Sequence, residues 1–396
     1  MVSSSMEQNF QTTIMMMGLG GAGGNVINSM INSGLTGVEF LVANTDAQDL
    51  NKSLAINKIR LGDSLTNGKG VGGNAERGRL AAEESEEKIR EHLEGVDMLI
   101  ICAGMGGGTG TGAAPVVARI AKEKEILTLA IISLPFAHEG LYRKETAHKG
   151  IQELERSVDT LIVFPNDKIT TLYENIFFLE ALKKANDIAT DAAQEISEIL
   201  LEAGVFNIDF EDICVTCKEA GYGLIGSGIA EGENRAVNAA KLAMGNPLLS
   251  DIDLSGCKGL LVSITCGEEC VLSEYTTINT IITNATGHKI KFKTGFYLNP
   301  KMGNKIKVTI IAAGLSSSDA VKALSMDTKP NQENERGSTP PVPTEPIIIK
   351  TPDLSEIMTR IKNANSNEVI QGQIPNIVAT DFKQTEPPAF LRNAYN

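Results

Sequence analysis

The sequence predicts an α/β protein: a Rossmann-like, doubly wound parallel sheet joined by a long central helix to a second, smaller α/β domain, with a disordered C-terminal tail. Three observations predict it. From Thr12 to Phe164 apolar runs alternate with helical stretches, the pattern of a parallel sheet assembled from βαβ units. Residues 175–203 hold one long helical period that stops at Gly204, long enough to join two domains. Beyond Ser316 the composition changes, with nine of the fourteen prolines past Lys329 among many Asn, Glu, Thr and Ser. Such a segment cannot bury a core. The boundaries read as a flexible 1–11, a first domain over 12–174, the helix over 175–203, a second domain over 204–316, a linker over 317–380 and a terminal peptide over 381–396.

In chain order, Thr12–Met17 is a buried strand that runs into Gly18-Leu19-Gly20-Gly21-Ala22-Gly23-Gly24-Asn25 and then a helical period at Val26, Ile27, Met30 and Ile31. That order satisfies the GxGxxG dinucleotide spacing, a weak signal when it stands alone. The next strand, Val38–Ala43, ends in Asn44-Thr45-Asp46, polar groups at the carboxyl end where open α/β sheets bind ligands. A second glycine loop, Gly68–Asn74 with Gly72 and Gly73, opens a long charged helix through about Leu93. Val96–Cys102 is an uninterrupted apolar strand, followed by Gly104-Met105-Gly106-Gly107-Gly108-Thr109-Gly110-Thr111-Gly112. Helix should begin at Pro115, where a first turn tolerates a missing N–H. A strand over Ile126–Ser133 leads to Pro135–Gly140 and a helix carrying Arg143; another over Thr160–Phe164 ends in Pro165-Asn166-Asp167. The second domain contributes strands at Gly259–Ile264 and Lys305–Ile311.

The formal charge of −13 argues against a nucleic-acid surface. No stretch approaches the ~18 uncharged apolar residues of a membrane span, and the first residues lack the basic and apolar regions of a secretory signal. Cys214-x-x-Cys217 and Cys266-x-x-x-Cys270 raise the question of zinc. With no histidine nearby, reduced and mostly buried thiols in the cytoplasm are the expectation, and no metal site is assigned to protein ligands.

The central loop carries the chemistry. Five glycines in seven residues from Gly106 let the backbone approach a ligand, and their N–H groups with the hydroxyls of Thr109 and Thr111 can ring an anion at a helix N-terminus. A flexible linker is the bland alternative, but linkers are not flanked by a buried strand and a helix. Two ligands compete: a nicotinamide or flavin dinucleotide, or a nucleoside triphosphate. Three glycine loops after different strands converge on one rim, which suits a triphosphate gripped from several sides. No Walker GxxxxGK[ST] is present, so this is not an ordinary P-loop.

The segments GGAGGN, ANTDAQ, AGMGGGTGTGAAPVVA, PFxxEG, PND, AND, NIDFEDI, GSGIAEGENRA and PLLxDIDLSG resemble the tubulin/FtsZ family, in its bacterial cell-division branch. The resemblance covers Thr12 to Leu315 in order, plus the terminal peptide. It implies a GTPase that polymerises head-to-tail with itself, with GTP and GDP as ligands, Mg2+ on the triphosphate and K+ as a candidate accessory ion. Gly20, Gly21, Gly23, Gly24 and Asn25 would serve the phosphates, together with Gly104, Met105, Gly106, Gly107, Gly108, Thr109 and Gly110. Gly72 and Gly73 would border the γ-phosphate, and Asn44 and Asp46 would line the same rim. Glu139 and Arg143 would hold the ribose and a phosphate; Asn166, Asn186 and Asp187 would read sugar and guanine, a carboxylate being able to accept from N1–H and the exocyclic amine together.

The resemblance also implies that the hydrolytic loop, Asn207-Ile208-Asp209-Phe210-Glu211-Asp212, acts on the next subunit's nucleotide. Asn207, Asp209 and Asp212 are the candidate catalytic residues, the carboxylates orienting water; helix capping is their bland reading. A filament scaffold with slow or lost hydrolysis is the alternative function, and the intact Asp209 and Asp212 argue against it. Leu182, His138, Leu134, Lys69 and Ala75 depart from the family pattern without removing a phosphate ligand. At the far end, Phe390 and Leu391 are apolar side chains on a polar tail, with Arg392 beside them to pair with an acidic rim, a peptide for a partner's groove; the resemblance implies membrane-tethering division proteins such as FtsA, at a mid-cell ring on the inner face of the membrane.

Overall fold

A computed structural model describes residues 12–172, 177–201, 204–245, 254–286 and 290–315. The expected flexible N-terminus, the 317–380 linker and the terminal peptide with Phe390, Leu391 and Arg392 lie outside the described residues.

The first half supplies strands β1 (Ile14–Leu19), β2 (Glu39–Asn44), β3 (Asn57–Arg60), β4 (Met98–Gly104), β5 (Leu127–Leu134) and β6 (Thr160–Pro165). All of their mutual pairings are parallel. Between them run α1 (Gly20–Asn32), α2 (Ala47–Lys52), α3 (Asp63–Thr66), α4 (Ala75–Glu84), α5 (Glu86–His92), α6 (Thr109–Glu123), α7 (Leu141–Glu155) and α8 (Asp167–Leu172). The long α9 (Phe178–Leu201) follows. The second half adds α10 (Phe210–Cys217), β7 (Gly221–Glu231), α11 (Arg235–Met244), β8 (Gly259–Cys266), α12 (Leu272–Thr286), β9 (Lys291–Leu298) and β10 (Lys305–Leu315).

The two-residue alternation of β1 explains the layering. Met15 and Met17 point into one core with residues of α4 to α7, whereas Ile14 and Met16 point into the other with residues of α1, α9 and α10. A strand buried on both faces reads as one continuous apolar run, and β1, β4 and β5 do. Helix α9 buries Ala189, Ala192, Ala193, Ile196 and Ile199, mostly small side chains that let a 24-residue helix lie close beneath the sheet.

The halves are not two separate sheets. Among the described residues the strands form one sheet in the order β3-β2-β1-β4-β5-β6-β7-β10-β8-β9. The seam is a short parallel pairing, Thr160 with Gly221, Leu161 with Tyr222 and Ile162 with Gly223. Beyond it β7 pairs β10 and β10 pairs β8 antiparallel, and β9 closes parallel on β8.

Two local expectations change, and one strand was not foreseen. The single charged helix after Gly73 breaks at Ser85, which is 3% exposed and whose Oγ accepts from Gly62 N–H at 2.9 Å. Helix α6 begins at Thr109 rather than at Pro115, which lies inside it. Tertiary packing overrides the low helix propensity of glycine there, because a side chain at Gly112 would come within 2.0 Å of the Ala75 carbonyl oxygen on α4. Strand β3, Asn-Lys-Ile-Arg, has one buried residue in four and carries no clear apolar pattern. None of the six cysteines is in a disulfide, and four are buried; burial pushes Cys102 and Cys217 up to about 12. No described helix is long and apolar enough to cross a membrane.

Candidate functional site

A cleft of about 510 Å³ opens at the carboxyl ends of β1, β4, β5 and β6, the rim where an open α/β sheet binds ligands. Of the candidate ligand residues, Gly20, Gly21, Asn25, Gly104, Met105, Gly107, Gly108, Thr109, Gly110, Glu139, Arg143, Asn166 and Asn186 line it. Two helices aim their N-termini into it. Neither α1 nor α6 has a side-chain cap hydrogen bond, and neither carries an acid in its first turn. Each therefore presents backbone N–H donors and the positive end of its dipole, so the fold supplies an anion cradle built from two helix starts.

Local geometry holds the cradle in shape. Gly20 takes φ +70° at the β1–α1 turn, and Gly106 takes φ +90° where a side chain would sit 2.7 Å from the Arg143 carbonyl oxygen. Thr109 Oγ1 lies 2.6 Å from Thr45 Oγ1, tying the two loops together. The Thr111 hydroxyl, which the sequence offers to an anion, is buried and instead accepts from Gly106 N–H at 2.9 Å; it shapes the loop. The Gly72–Gly73 loop lies next to the cradle rather than in it: Val71 and Asn74 pack on Gly108, and Asn74 caps α4 by accepting from Arg77 N–H at 3.0 Å. Glu139 and Arg143 form an ion pair at the mouth.

Other candidates do not line the cleft, and the contacts they make are within the scaffold. Gly23 does not line the cleft; a side chain there would meet the Cys102 carbonyl oxygen at 2.2 Å, so Gly23 lets α1 close on β4. Gly24 and the buried Asn44 line a smaller recess of about 50 Å³ behind Gly20 and Gly21. There Asn44 donates to Asp49 at 2.8 Å. Asp46 caps α2, accepting from Gln48 and Asp49 N–H. Asp187, half-buried on α9, follows Asn186 but does not line the cleft. Its charge reaches Asp191, whose carboxyl is raised by burial first and by Asp187 second.

Asn207, Asp209 and Asp212 lie at the other end of α9. Tyr297 pins their loop there, its hydroxyl donating to Ile199 O at 3.0 Å and accepting from Ile208 N–H at 3.3 Å. Asn207 accepts from Gly204 N–H at 2.6 Å. Asp209 and Asp212 cap α10 reciprocally: Asp212 N–H donates to Asp209 Oδ1 at 2.8 Å, and Asp209 N–H to Asp212 Oδ2 at 3.1 Å. Lys293 Nζ sits 2.8 Å from the same Oδ2. Burial alone would raise the Asp212 carboxyl; Lys293 and the Asp209 N–H outweigh it and hold it below the ordinary value. From Asn186, on the cleft, to Leu201 the helix rises about 22 Å at 1.5 Å per residue. One chain's loop cannot reach its own cleft.

Comparison with known proteins decides the family. The GTPase domain of the Tubulin/FtsZ family matches residues 13–174, and the FtsZ family C-terminal domain matches 221–316. The chain belongs to the tubulin/FtsZ family. Cell division protein FtsZ of Wigglesworthia glossinidia brevipalpis is 38% identical over 98% of both chains, and that of Pseudomonas putida 39% over 96% of both. An FtsZ dimer structure from M. jannaschii superposes with a TM-score of 0.71 at 35% identity, covering 78% of this chain and 89% of that one. The first half is thus a tubulin/FtsZ GTPase domain, a family membership that implies binding of GTP and GDP.

Sequence reasoning missed Ser133 and Ala185, which line the cleft beside Phe136 and Leu182. Ser133 had a signal, the carboxyl end of β5. Leu182, Ala185 and Asn186 fall at i, i+3 and i+4, one face of α9, but only tertiary structure turns that face to the cleft.

Proposed function

We propose that the chain is a cell-division GTPase that assembles head-to-tail into filaments of a cytokinetic ring, and that GTP held by one subunit is hydrolysed with the Asp209–Asp212 loop of the next. The observation that carries this reading is the separation of the two half-sites along α9. Apolar side chains flank both: Leu141, Tyr142, Phe177 and Leu179 are exposed beside the cleft, and Val205, Phe206, Val271 and Leu272 beside the loop. Exposed apolar side chains around two complementary half-sites suit a contact with a second copy.

Within such a site the N–H groups of the α1 and α6 starts bind the phosphates, and Gly72 and Gly73 border the γ-phosphate. Arg143 adds a cation, while Asn166, Asn186 and Asp187 serve sugar and base. Among the described residues no three acids, histidines or cysteines converge as a metal site. Mg2+ bound with the triphosphate would be held by phosphate oxygens, with the Thr109 hydroxyl on the cleft an oxygen of suitable chemistry, and would supply charge neutralisation for phosphoryl transfer. Asp209 and Asp212 orient the attacking water and accept its hydrogen bonds, and Asn207 steadies it. K+ dependence is read by exchanging K+ for Na+ in the same assay. The 381–396 peptide docks on a membrane-tethering division protein such as FtsA.

Phosphate release and light scattering recorded together across protein concentration test this. Turnover per subunit should rise steeply where scattering begins. A constant turnover through the assembly threshold would place a complete hydrolytic site in one chain.

A further inference from the structure

We infer that Lys293 is a positioning residue for hydrolysis: its ammonium clamps one oxygen of Asp212 so that the other accepts from the water on the neighbouring subunit's γ-phosphate. The inference rests on the two-subunit reading above and adds a residue to it. Both donors that reach Asp212, Lys293 Nζ at 2.8 Å and Asp209 N–H at 3.1 Å, are on Oδ2. Two donors on one oxygen fix the carboxylate plane and leave Oδ1 as the acceptor. The Asp212 side chain is 23% exposed, enough for a partner to reach.

Three acids crowd the start of α10: Asp209, Glu211 and Asp212. The capping box holds the first and last side by side, where like charges oppose ionisation. Lys293 answers from β9, at the edge of the sheet, and feels both Asp212 and Asp209. The other strands against α10 offer no substitute. β8 brings no titratable side chain to that face, its Cys266 lying in the opposite core, and on β10 Lys305 pairs with Glu231 and Lys307 with Glu195 and Glu198. The capping box is complete without Lys293, and a half-exposed ion pair adds little to folding. Its consequence is orientation and charge at one carboxylate.

The test compares full-length protein with Lys293→Met and Lys293→Arg, measuring GTP turnover at saturating GTP and matched polymer mass from about pH 4 to 8. Asp212 is held below its ordinary value partly by Lys293, so without the ammonium the acid limb of turnover moves to higher pH. Lys293→Met should lose at least about twofold on the basic plateau, where the clamp on Oδ2 is gone, and more toward the acid end, and Lys293→Arg should retain the wild-type plateau and limb. An unmoved limb in Lys293→Met overturns the proposal. Should Lys293→Met fail to polymerise, carboxyl 13C titration of Asp212 in the GDP-bound subunit decides instead. A titration identical to wild type overturns the proposal, and one displaced upward supports it. Asp212→Asn separates the two readings: wild-type turnover in that variant removes the two-subunit site itself, whereas lost turnover there with an unmoved limb in Lys293→Met removes only the role of Lys293.

Discussion

The helix starts at the two ends of α9 solve the same electrostatic problem in opposite ways. At the cleft, α1 and α6 have neither a side-chain cap nor an acid in the first turn. At the far loop, α10 is closed by a reciprocal capping box and carries Glu211 and Asp212 in its first turn. An open N-terminus asks for an external anion; a capped one already holds its own. On the proposed function the difference assigns the ends: phosphate would be received where caps are missing, and carboxylates are held where caps are complete.

The comparison breaks most visibly if the open end is closed. Ala22 is exposed in the first turn of α1 and lines the cleft. Ala22→Asp should weaken GTP at least about a hundredfold through like charge while changing the unfolding free energy by no more than about 1 kcal/mol, in the stabilising direction. Calorimetric GTP titration beside a thermal melt reads both, and unaltered affinity would mean α1 does not face the phosphates. A smaller effect is expected of Gly106→Ala, which forces a side chain into φ +90° against the Arg143 carbonyl. About 1–3 kcal/mol of backbone strain should appear as roughly tenfold weaker GTP, with the fold retained by circular dichroism.

The capped end responds least in stability. Asp209→Ala removes the α10 cap and should cost about 1 kcal/mol, while Asp209→Asn, also a good N-cap, should cost a few tenths. Denaturant melts separate the two, and both should lower turnover. The sign with pH follows from Asp212. Its carboxyl is lowered from 3.8, so its contribution to stability is present above that value and lost as pH falls through the lowered one. The stability gap between wild type and Asp212→Asn should therefore close in acid.

Much of this was legible in the sequence because the signals are local. Val96–Cys102 followed by glycines marks a strand and a phosphate loop whatever the rest of the chain does. The β6–β7 seam left no mark, since three register pairs between distant strands ask nothing unusual of either strand. Ser85 breaks a helix through a contact to Gly62, which no period can show. In the site, glycine served two ends that sequence cannot separate. Gly20 opens backbone to the cleft, whereas Gly23 makes room for a neighbouring carbonyl. Asp46 illustrates the same ambiguity among polar residues: at a strand's carboxyl end it caps α2 and stays in the scaffold.

The split site is tested most directly by Asp212→Ala, with GTP affinity measured on the unassembled subunit and phosphate release on the polymer. Affinity should stay within about twofold of wild type, because this carboxylate lies beyond the far end of α9, whose rise from Asn186 to Leu201 is about 22 Å, while turnover falls at least about tenfold, more than ~1.4 kcal/mol in barrier. Loss of GTP binding by the unassembled Asp212→Ala subunit would contradict it.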